Sequence, residues 1–333
     1  MARLVSGALA ALVALTLAAC GGSTAPTRQA AGASGEQPVD TAGVTLRLGD
    51  QERRLQTLMQ AAGQLQNPKY KIDWGEFSSG PPMMQALSGR ALDLGAVGDT
   101  PPIFAASAGG SGADIRMVAA SYPGGDKDEI LVPSGSGIKD VSQLEGKKVA
   151  VTQGSSAHLT LLLALQKAGL QWSDIQVSYL QPPAAQSAFA THQIDAWAVW
   201  YPFIAAAHGS GGRTIQAGTQ LDPGHSFLVS NTTSLQDSGK VAALRDFIHR
   251  VGLAERWAHS HLSEWSKLYA QISGLTLDQA TATEKAALTE YVPIDASVKQ
   301  AQQKAADAFA TAGLMPRVDL SKNFDTRFNP DIA

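Results

Sequence analysis

The apolar positions of the chain follow two periodicities that alternate from residue 44 to about residue 230. Short apolar or alternating runs predict strands, and apolar positions three and four residues apart predict helices. Strands that alternate with helices are typical of the α/β class, in which helices cover both faces of a mostly parallel sheet. The predicted strands are 44–49, 72–74, 93–97, 116–120, 148–151, 175–179 and 196–199.

The pattern changes after residue 240, where helical spacing continues and no strand is predicted. We therefore expect a helical C-terminal region. Its predicted helices are 244–257, 265–272, 277–288 and 296–312.

The strand-helix units form two series, 44–131 and 148–227, and each series is long enough for one small doubly wound domain. The segments 129–133 and 226–230 are candidates for chain crossings between the two domains. A chain that crosses twice forms two lobes with a cleft between them. We predict that lobe 1 comprises 44–131 plus 226–333, that lobe 2 comprises 132–225, and that the ligand binds in the cleft.

The N-terminus has the pattern of an export signal that ends at a cysteine. Residues 4–19 carry no charge, follow Arg3, and are too few for a comfortable membrane span. The small residues before Cys20 resemble the bacterial lipobox, which implies that 1–19 is a lipoprotein signal peptide and that Cys20 is lipidated. Residues 20–43 then form a flexible tether. The alternative is an ordinary cleaved signal with a bystander cysteine.

Composition and charge exclude several classes of protein. The 333 residues include 26 Lys+Arg and 29 Asp+Glu, so no basic field is available for binding nucleic acid. The single cysteine excludes an intramolecular disulfide, a CxxC redox site and a multi-cysteine metal centre. We therefore expect no nucleic-acid partner, no metal and no cofactor.

Three strand-to-helix turns have the features of an anion site. They are Ser78–Pro81, Gly98–Pro102 and Gln153–Ser156. Each turn directs free N–H groups and the positive end of a helix dipole at one point, which suits a phosphate, sulfate or carboxylate. The alternative for each turn alone is plain helix capping. The candidate ligand-binding residues in these turns are Ser79, Gly80, Asp99, Thr100, Gly154, Ser155 and Ser156.

Two tryptophans near residue 200 differ in their predicted roles. Strand alternation through 195–202 places Trp197 and Trp200 on opposite faces. We expect Trp197 in the core. We expect Trp200 and Tyr201 at the strand end, beside the organic part of a ligand.

Several of these runs together resemble the aliphatic-sulfonate-binding proteins of bacterial ABC importers. These proteins belong to the sulfonate, nitrate and taurine group of periplasmic-type binding proteins. The matching runs are 74–81, 91–105, 144–158 and 194–200. The resemblance implies a type II periplasmic binding protein fold, with two lobes that close on a ligand outside the cytoplasm and deliver it to a membrane permease.

The resemblance also implies roles for individual residues. It places anion contacts at Gln51, Thr100, Ser155 and Ser156, with His158 close behind, and it places Trp200 beside the organic tail. Relatives often have an aspartate where this chain has Tyr201. The loss of that acid indicates a sulfonate with an uncharged or aromatic tail. We expect a monomer that is not an enzyme and is anchored at the extracytoplasmic face of the membrane.

Two alternatives remain open from the sequence. The first is a receptor for another small anion, such as nitrate or taurine. The second is an enzyme on the same fold, similar to the thiamine-pyrimidine synthases, although those proteins need a cysteine-rich motif. The proximity of Ser155 to His158 also suggests a nucleophile and base, but no orienting acid is evident.

Overall fold

The computed structural model describes residues 39–123, 128–221 and 224–332. The predicted signal peptide, Cys20 and most of the predicted tether lie outside these residues. The end of the predicted tether is tied to the body of the protein, because Thr41 is buried and its hydroxyl donates to the Lys69 carbonyl over 3.3 Å. Among the described residues, no helix has the length and apolar composition needed to cross a bilayer.

The described residues form two mixed β-sheets. The first sheet has the strand order β11-β4-β10-β3-β1-β2, and the second has the order β7-β6-β8-β5-β9. The strands are β1 (Thr45–Gln51), β2 (Lys71–Phe77), β3 (Leu94–Gly98), β4 (Ile115–Pro123), β5 (Asp128–Val132), β6 (Lys148–Val151), β7 (Gln176–Tyr179), β8 (Ala196–Trp200), β9 (Arg213–Ala217), β10 (Ser226–Asn231) and β11 (Thr289–Val292).

Helices connect most of these strands and build the C-terminal region. They are α1 (Arg54–Ala61), α2 (Gly80–Ser88), α3 (Thr100–Ser107), α4 (Ser156–Lys167), α5 (Pro182–Ala190), α6 (Phe203–Gly209), α7 (Thr232–Gln236), α8 (Ser238–Ser260), α9 (Leu262–Ser273), α10 (Leu277–Ala287) and α11 (Ala296–Thr311). The predicted α/β class is confirmed.

Apolar clusters lie on both faces of each sheet, as expected for sheets covered by helices. In the first sheet, helices α1, α8 and α9 pack on one face around Leu48, Phe247 and Trp265. In the second sheet, α4 packs on one face, and α5 and α6 pack on the other around Trp197. This architecture is two-lobed, with one sheet in each lobe.

The two predicted crossings are strands rather than free connections. β5 pairs antiparallel with β8 and β9, and β10 pairs antiparallel with β3 and β4. Residues 128–132 therefore belong to the second sheet, although the predicted boundary at 131/132 assigned most of them to lobe 1. The lobe boundaries otherwise stay a prediction.

The expectation that strands end before residue 240 is wrong at one place. β11 pairs antiparallel with the edge strand β4. The segment Thr289–Val292 is short and lies among helices, so its own pattern gives little strand signal, and the open edge of β4 provides the pairing partner.

The lobes contact each other through apolar and polar residues. An apolar cluster joins α3 and α11 to α4 of lobe 2, with Ile103, Leu162 and Phe309 among its buried members. The Ser79 hydroxyl also donates to Gln181 Oε1 over 2.8 Å, across the two lobes. These contacts hold the lobes together around the cleft.

Candidate ligand-binding site

One cavity of about 230 Å³ lies between the lobes. The ends of β1, β3 and β8 and the starts of α2 and α4 contribute to its wall, together with residues of α8, α9 and β11. Six of the predicted site residues line it: Gln51, Gly80, Ser155, Ser156, Trp200 and Tyr201. The other five are buried and do not line it: Ser79, Asp99, Thr100, Gly154 and His158.

The start of α4 offers the strongest group of N–H donors. Ser155 is the N-cap, and its hydroxyl oxygen accepts from the His158 N–H over 3.3 Å. The N–H groups of Ser156 and Ala157 also lie in the first turn, where a helix provides no acceptor of its own. Gly154 precedes them with a φ of 73°, a conformation that favours glycine, and so turns the chain into the helix.

The starts of α2 and α3 offer fewer donors, because each has two prolines in its first turn. In α2, Gly80 is followed by Pro81 and Pro82, and in α3 the same pair follows Thr100. Proline has no backbone N–H. Among their first three helical residues, α2 and α3 therefore each have one N–H group, whereas α4 has three.

The hydroxyl groups that were predicted as anion donors all donate to protein acceptors. The Ser155 hydroxyl donates to the Thr152 carbonyl over 2.7 Å, and the Ser156 hydroxyl donates to Asp128 Oδ1 over 2.8 Å. The Thr100 hydroxyl donates to Asp99 Oδ1 over 2.7 Å. A hydroxyl has a single proton, so the donors that remain at this end of the cavity are backbone N–H groups.

The start of α3 explains how the Thr100 hydroxyl is used. Asp99 takes the N-cap position, and Thr100 is the first helical residue. The threonine hydroxyl turns to the adjacent carboxylate, which is a stronger acceptor than a neutral group.

His158 is buried behind the wall and positions the turn before α4. Its Nδ1 accepts from the Gly154 N–H over 3.1 Å. Burial lowers the pKa of His158 to about 3, so the ring is neutral at physiological pH. Its ring packs against four aromatic rings drawn from both lobes, with centroid distances of 4.7 to 5.8 Å: Phe104, Trp172, Tyr179 and Phe309.

Gln51 and Trp200 lie in the cavity wall near this helix start. The Gln51 side-chain N–H donates to the Ala96 carbonyl over 2.9 Å, which joins the ends of β1 and β3. Trp200 is partly exposed, and its ring meets the Phe203 ring edge to face with a centroid distance of 6.2 Å, whereas Trp197 is fully buried in the core of lobe 2.

We call the part of the cavity formed by Gly80, Gly98, Ser155 and Ser156 the amide end.

Charged residues that sequence reasoning did not select also line the same cavity. We call the part that they line the carboxylate end and define it by Asp50, Glu52, Arg54 and Glu255. Arg54 is held by two buried acids, with Nη1 3.1 Å from Glu255 Oε1 and Nη2 2.9 Å from Glu284 Oε2. Burial raises the pKa of the Asp50, Glu52 and Glu255 carboxyl groups.

The acceptors of Asp50 are already used by backbone groups. Its carboxylate accepts from the N–H groups of Gln51, Leu55 and Gln56 over 2.7, 3.1 and 2.8 Å. This carboxylate therefore occupies the positive end of α1, which leaves no room there for an anionic ligand.

A sequence signal for Glu255 existed in the spacing of α8. Leu244, Phe247, Val251 and Ala258 form its buried stripe, and Glu255 falls on that stripe four residues after Val251. A charged residue in an apolar stripe indicates a buried and partnered group. Residue 255 lies far along the chain from the strand-to-helix turns, so the sequence offers no reason to place Glu255 in the same cavity.

Comparison with solved structures places this architecture in a known class. The alkanesulfonate-binding protein SsuA from Xanthomonas axonopodis pv. citri, bound to MOPS, shares 33% identity and a TM-score of 0.77, over 85% of this chain and 98% of that one. The periplasmic aliphatic sulfonate-binding protein SsuA from Escherichia coli shares 35% identity and a TM-score of 0.71, over 84% of this chain and 91% of that one. The chain has the periplasmic binding protein fold.

Sequence comparison defines the family. The NMT1-like family matches residues 55–261, which is more than half of the chain. A protein of Escherichia coli (strain K12) named for binding aliphatic sulfonates is 36% identical over 277 residues, which cover 82% of this chain and 85% of the relative. The chain belongs to the NMT1-like family, and the resemblance to sulfonate-binding proteins that was stated from the sequence is confirmed.

Proposed function

We propose that this protein is the solute-binding component of an ABC importer and that it captures an organosulfonate outside the cytoplasm. Relatives that share about a third of its residues over most of its length are named as sulfonate-binding proteins. The lobes would close on the ligand and present it to the permease. The protein itself would carry out no reaction.

The observation that carries the proposal is the amide end of the cavity. Ser155 and Ser156 line the cavity at the start of α4, where the first-turn N–H groups have no helical acceptor and the positive end of the helix dipole lies. A sulfonate head has three acceptor oxygens and stays ionised, so it suits several converging neutral donors. Trp200 and Tyr201 line the same cavity and provide surface for an organic tail.

The two alternatives from the sequence have less support. A bare ion such as nitrate would leave much of a 230 Å³ cavity and its aromatic wall without contact. A nucleophilic Ser155 would need its hydroxyl on the His158 ring. That hydroxyl instead donates to the Thr152 carbonyl, and the His158 Nδ1 accepts from Gly154.

Isothermal titration calorimetry with butanesulfonate, sulfate, nitrate and butanoate tests the proposal. We expect butanesulfonate to bind about tenfold tighter, or more, than each of the other three. A ligand present at 100 times its Kd should add about 2.7 kcal/mol to the free energy of unfolding, which thermal melting detects independently. Nitrate or sulfate binding as tightly as butanesulfonate would instead support a receptor for an inorganic anion, and no heat with any sulfonate would reject the proposal.

We also propose that Cys20 is lipidated and anchors a monomer at the extracytoplasmic face of the membrane. The small residues before Cys20 support this part of the proposal, because they match the lipobox pattern. Partition of the expressed protein between membrane and soluble fractions tests it, with Cys20→Ser as the matched variant. We expect release of the variant from membranes, and retention of the variant would contradict the anchor.

A further inference from the structure

Gln279 joins the two lobes at a place outside the cavity. It lies in the first turn of α10, which packs on the core of the first sheet through Ala280. Its Nε2 donates to the Ala205 carbonyl over 3.1 Å. Ala205 belongs to α6, which packs on the second sheet through its neighbour Ile204. One side chain therefore makes a hydrogen bond from lobe 1 to lobe 2.

The partners of the Gln279 amide determine its orientation. Oε1 accepts from the Thr276 N–H over 3.0 Å and from the Thr276 hydroxyl over 3.1 Å, in a capping box at the start of α10. The Ala205 carbonyl is an acceptor, so it needs the amide nitrogen as its donor. The same amide therefore caps its own helix with its oxygen and reaches the other lobe with its nitrogen.

The surface of α6 opposite this amide has no space for a side chain. A Cβ built at Gly209 would lie 2.2 Å from Gln279 Nε2, which is far inside van der Waals contact. Gly209 is helical and its φ is not positive, so the backbone there does not require glycine. The lack of a side chain at residue 209 instead lets the Gln279 amide lie against α6.

The contact between α6 and α10 lies next to two walls of the cavity. Tyr201 and Pro202 directly precede α6, and Ala287 and Thr289 lie at the end of α10 and the start of β11. All four residues line the cavity. These two walls come from different lobes, so a bond between the two helices limits how far the walls can separate.

The contacts between the lobes differ in what their separation would cost. The cluster around Ile103, Leu162 and Phe309 is apolar and buried, so separating it would expose apolar surface to water. Gln279 is partly exposed, and its amide would exchange the bond to Ala205 for bonds to water at a smaller cost. The lobes therefore part more readily at Gln279 than at the apolar cluster.

We infer that Gln279 is a positioning residue for ligand binding, whose bond to Ala205 forms when the lobes close on the ligand and breaks when they open to release it. This inference rests on the proposed function and extends it to a residue that does not line the cavity. Because the bond forms only after the ligand has entered, Gln279 slows the release of the ligand and leaves its entry unaffected.

Two single variants break this bond from opposite lobes. Gln279→Ala removes the donor, and in Gly209→Ala the new methyl group displaces the amide. We expect the Kd for butanesulfonate, measured by calorimetry, to rise about two- to tenfold in each variant, the fold-change of one neutral hydrogen bond. The double variant should bind no more weakly than either single variant, because the new methyl group then meets no amide.

Stopped-flow fluorescence of the tryptophans separates the release of butanesulfonate from its entry, because Trp200 lines the cavity. We expect the dissociation rate constant of each variant to rise by the same factor as its Kd. The association rate constant should change by less than about twofold. A role confined to the stability of α10 would lower the melting temperature and leave the dissociation rate constant unchanged.

Two further variants are matched controls. Thr276→Ala removes the hydroxyl of the capping box and keeps the bond from Gln279 to lobe 2. Gly137→Ala introduces a methyl group that meets nothing within 4 Å. Both should bind butanesulfonate as the unaltered protein does, and thermal melting verifies that every variant is folded.

The outcomes separate this inference from the proposed function. An unchanged Kd and dissociation rate constant in Gln279→Ala would overturn the inference and leave the proposed function intact. Losses that add in the double variant, or an equal loss in Thr276→Ala, would also overturn it. No binding by the unaltered protein would reject the proposed function and the inference with it. If Gln279→Ala does not fold, the release rate of Gly209→Ala decides, since that variant leaves the sequence of α10 unaltered.

Discussion

The two ends of the cavity present different chemical groups. The amide end has no charged side chain among its defining residues, and its donors are backbone N–H groups at helix starts. The carboxylate end has three acids and one arginine, all from side chains. The first end suits an anion without a counter-charge, whereas in the second end Arg54 is already paired with Glu255 and Glu284.

The comparison separates the backbone N–H donors, which the fold supplies, from the charged groups, which individual side chains supply. Backbone donors at the start of α4 depend on the strand-turn-helix geometry and therefore persist through many substitutions. The charge of the carboxylate end depends instead on individual side chains, such as Glu255 and Arg54, so single substitutions change it. We expect the head group to be constant among close relatives and the tail to vary.

The largest expected effect comes from filling the space at the amide end. A Cβ built at Gly98 would lie 3.0 Å from Ser156 Cβ and 3.2 Å from its hydroxyl oxygen, across the two lobes. In Gly98→Leu the side chain would therefore occupy the space between the lobes and hold them apart. We expect no measurable binding of any sulfonate by calorimetry.

Gly137→Leu is the matched control, because a Cβ there meets nothing within 4 Å. It should bind sulfonates as the unaltered protein does, and both variants should melt cooperatively. Normal binding by a folded Gly98→Leu variant would show that the head does not bind beside Ser156.

A proline at position 156 tests whether the amide or the hydroxyl is the donor. Ser155 is extended, with ψ at 166°, and proline is favoured at the first helical position, so α4 tolerates Ser156→Pro. We expect binding to weaken by about 1.5–3 kcal/mol, the value of a hydrogen bond to a charged group. Calorimetry with butanesulfonate measures this loss.

Ser156→Ala provides the comparison for the proline variant. It removes the hydroxyl, which already donates to Asp128, and keeps the N–H. We expect a smaller loss than with proline. Equal losses in the two variants would mean that the hydroxyl, and not the amide, binds the head.

The sequence predicted the amide end better than the carboxylate end, for a physical reason. Strand-to-helix turns are local, so the runs around Gly80, Ser155 and Ser156 could be identified from neighbouring residues alone. The hydroxyl partners could not, because the Ser156 acceptor, Asp128, lies 28 residues away. Glu255 and Arg54 are 201 residues apart, and only the packing of α8 against α1 brings them together.

The fold shows the same division between local and distant signals. The seven strands predicted from apolar runs are all present, whereas β9 and β11 were missed and β5 and β10 were interpreted as crossings. β10 is antiparallel in the first sheet and β5 in the second, and their partners are distant in sequence. Pairing of this kind leaves little trace in local periodicity.

The last effect we predict is on stability rather than binding, and it concerns the neutral state of His158. Its pKa is lowered from 6.5 to about 3 by burial, so the unfolded chain binds more protons than the folded one between these pH values. Stability should therefore fall as the pH falls below 6.5. The loss is about 2 kcal/mol at pH 5 relative to pH 7.5.

Urea denaturation at the two pH values measures this contribution. In His158→Gln the loss should be absent, so the difference in unfolding free energy between the two proteins should shrink at pH 5. The exposed His192 provides the control, and His192→Gln should keep the full dependence. A pH dependence that is unchanged in His158→Gln would indicate that the ring is charged in the folded protein.

The most direct measurement of the central claim is a crystal structure of the protein with butanesulfonate. The account predicts sulfonate oxygens within hydrogen-bond distance of the Ser156 and Ala157 N–H groups, with the alkyl tail beside Trp200. A sulfonate bound anywhere other than the start of α4 would contradict the proposed site.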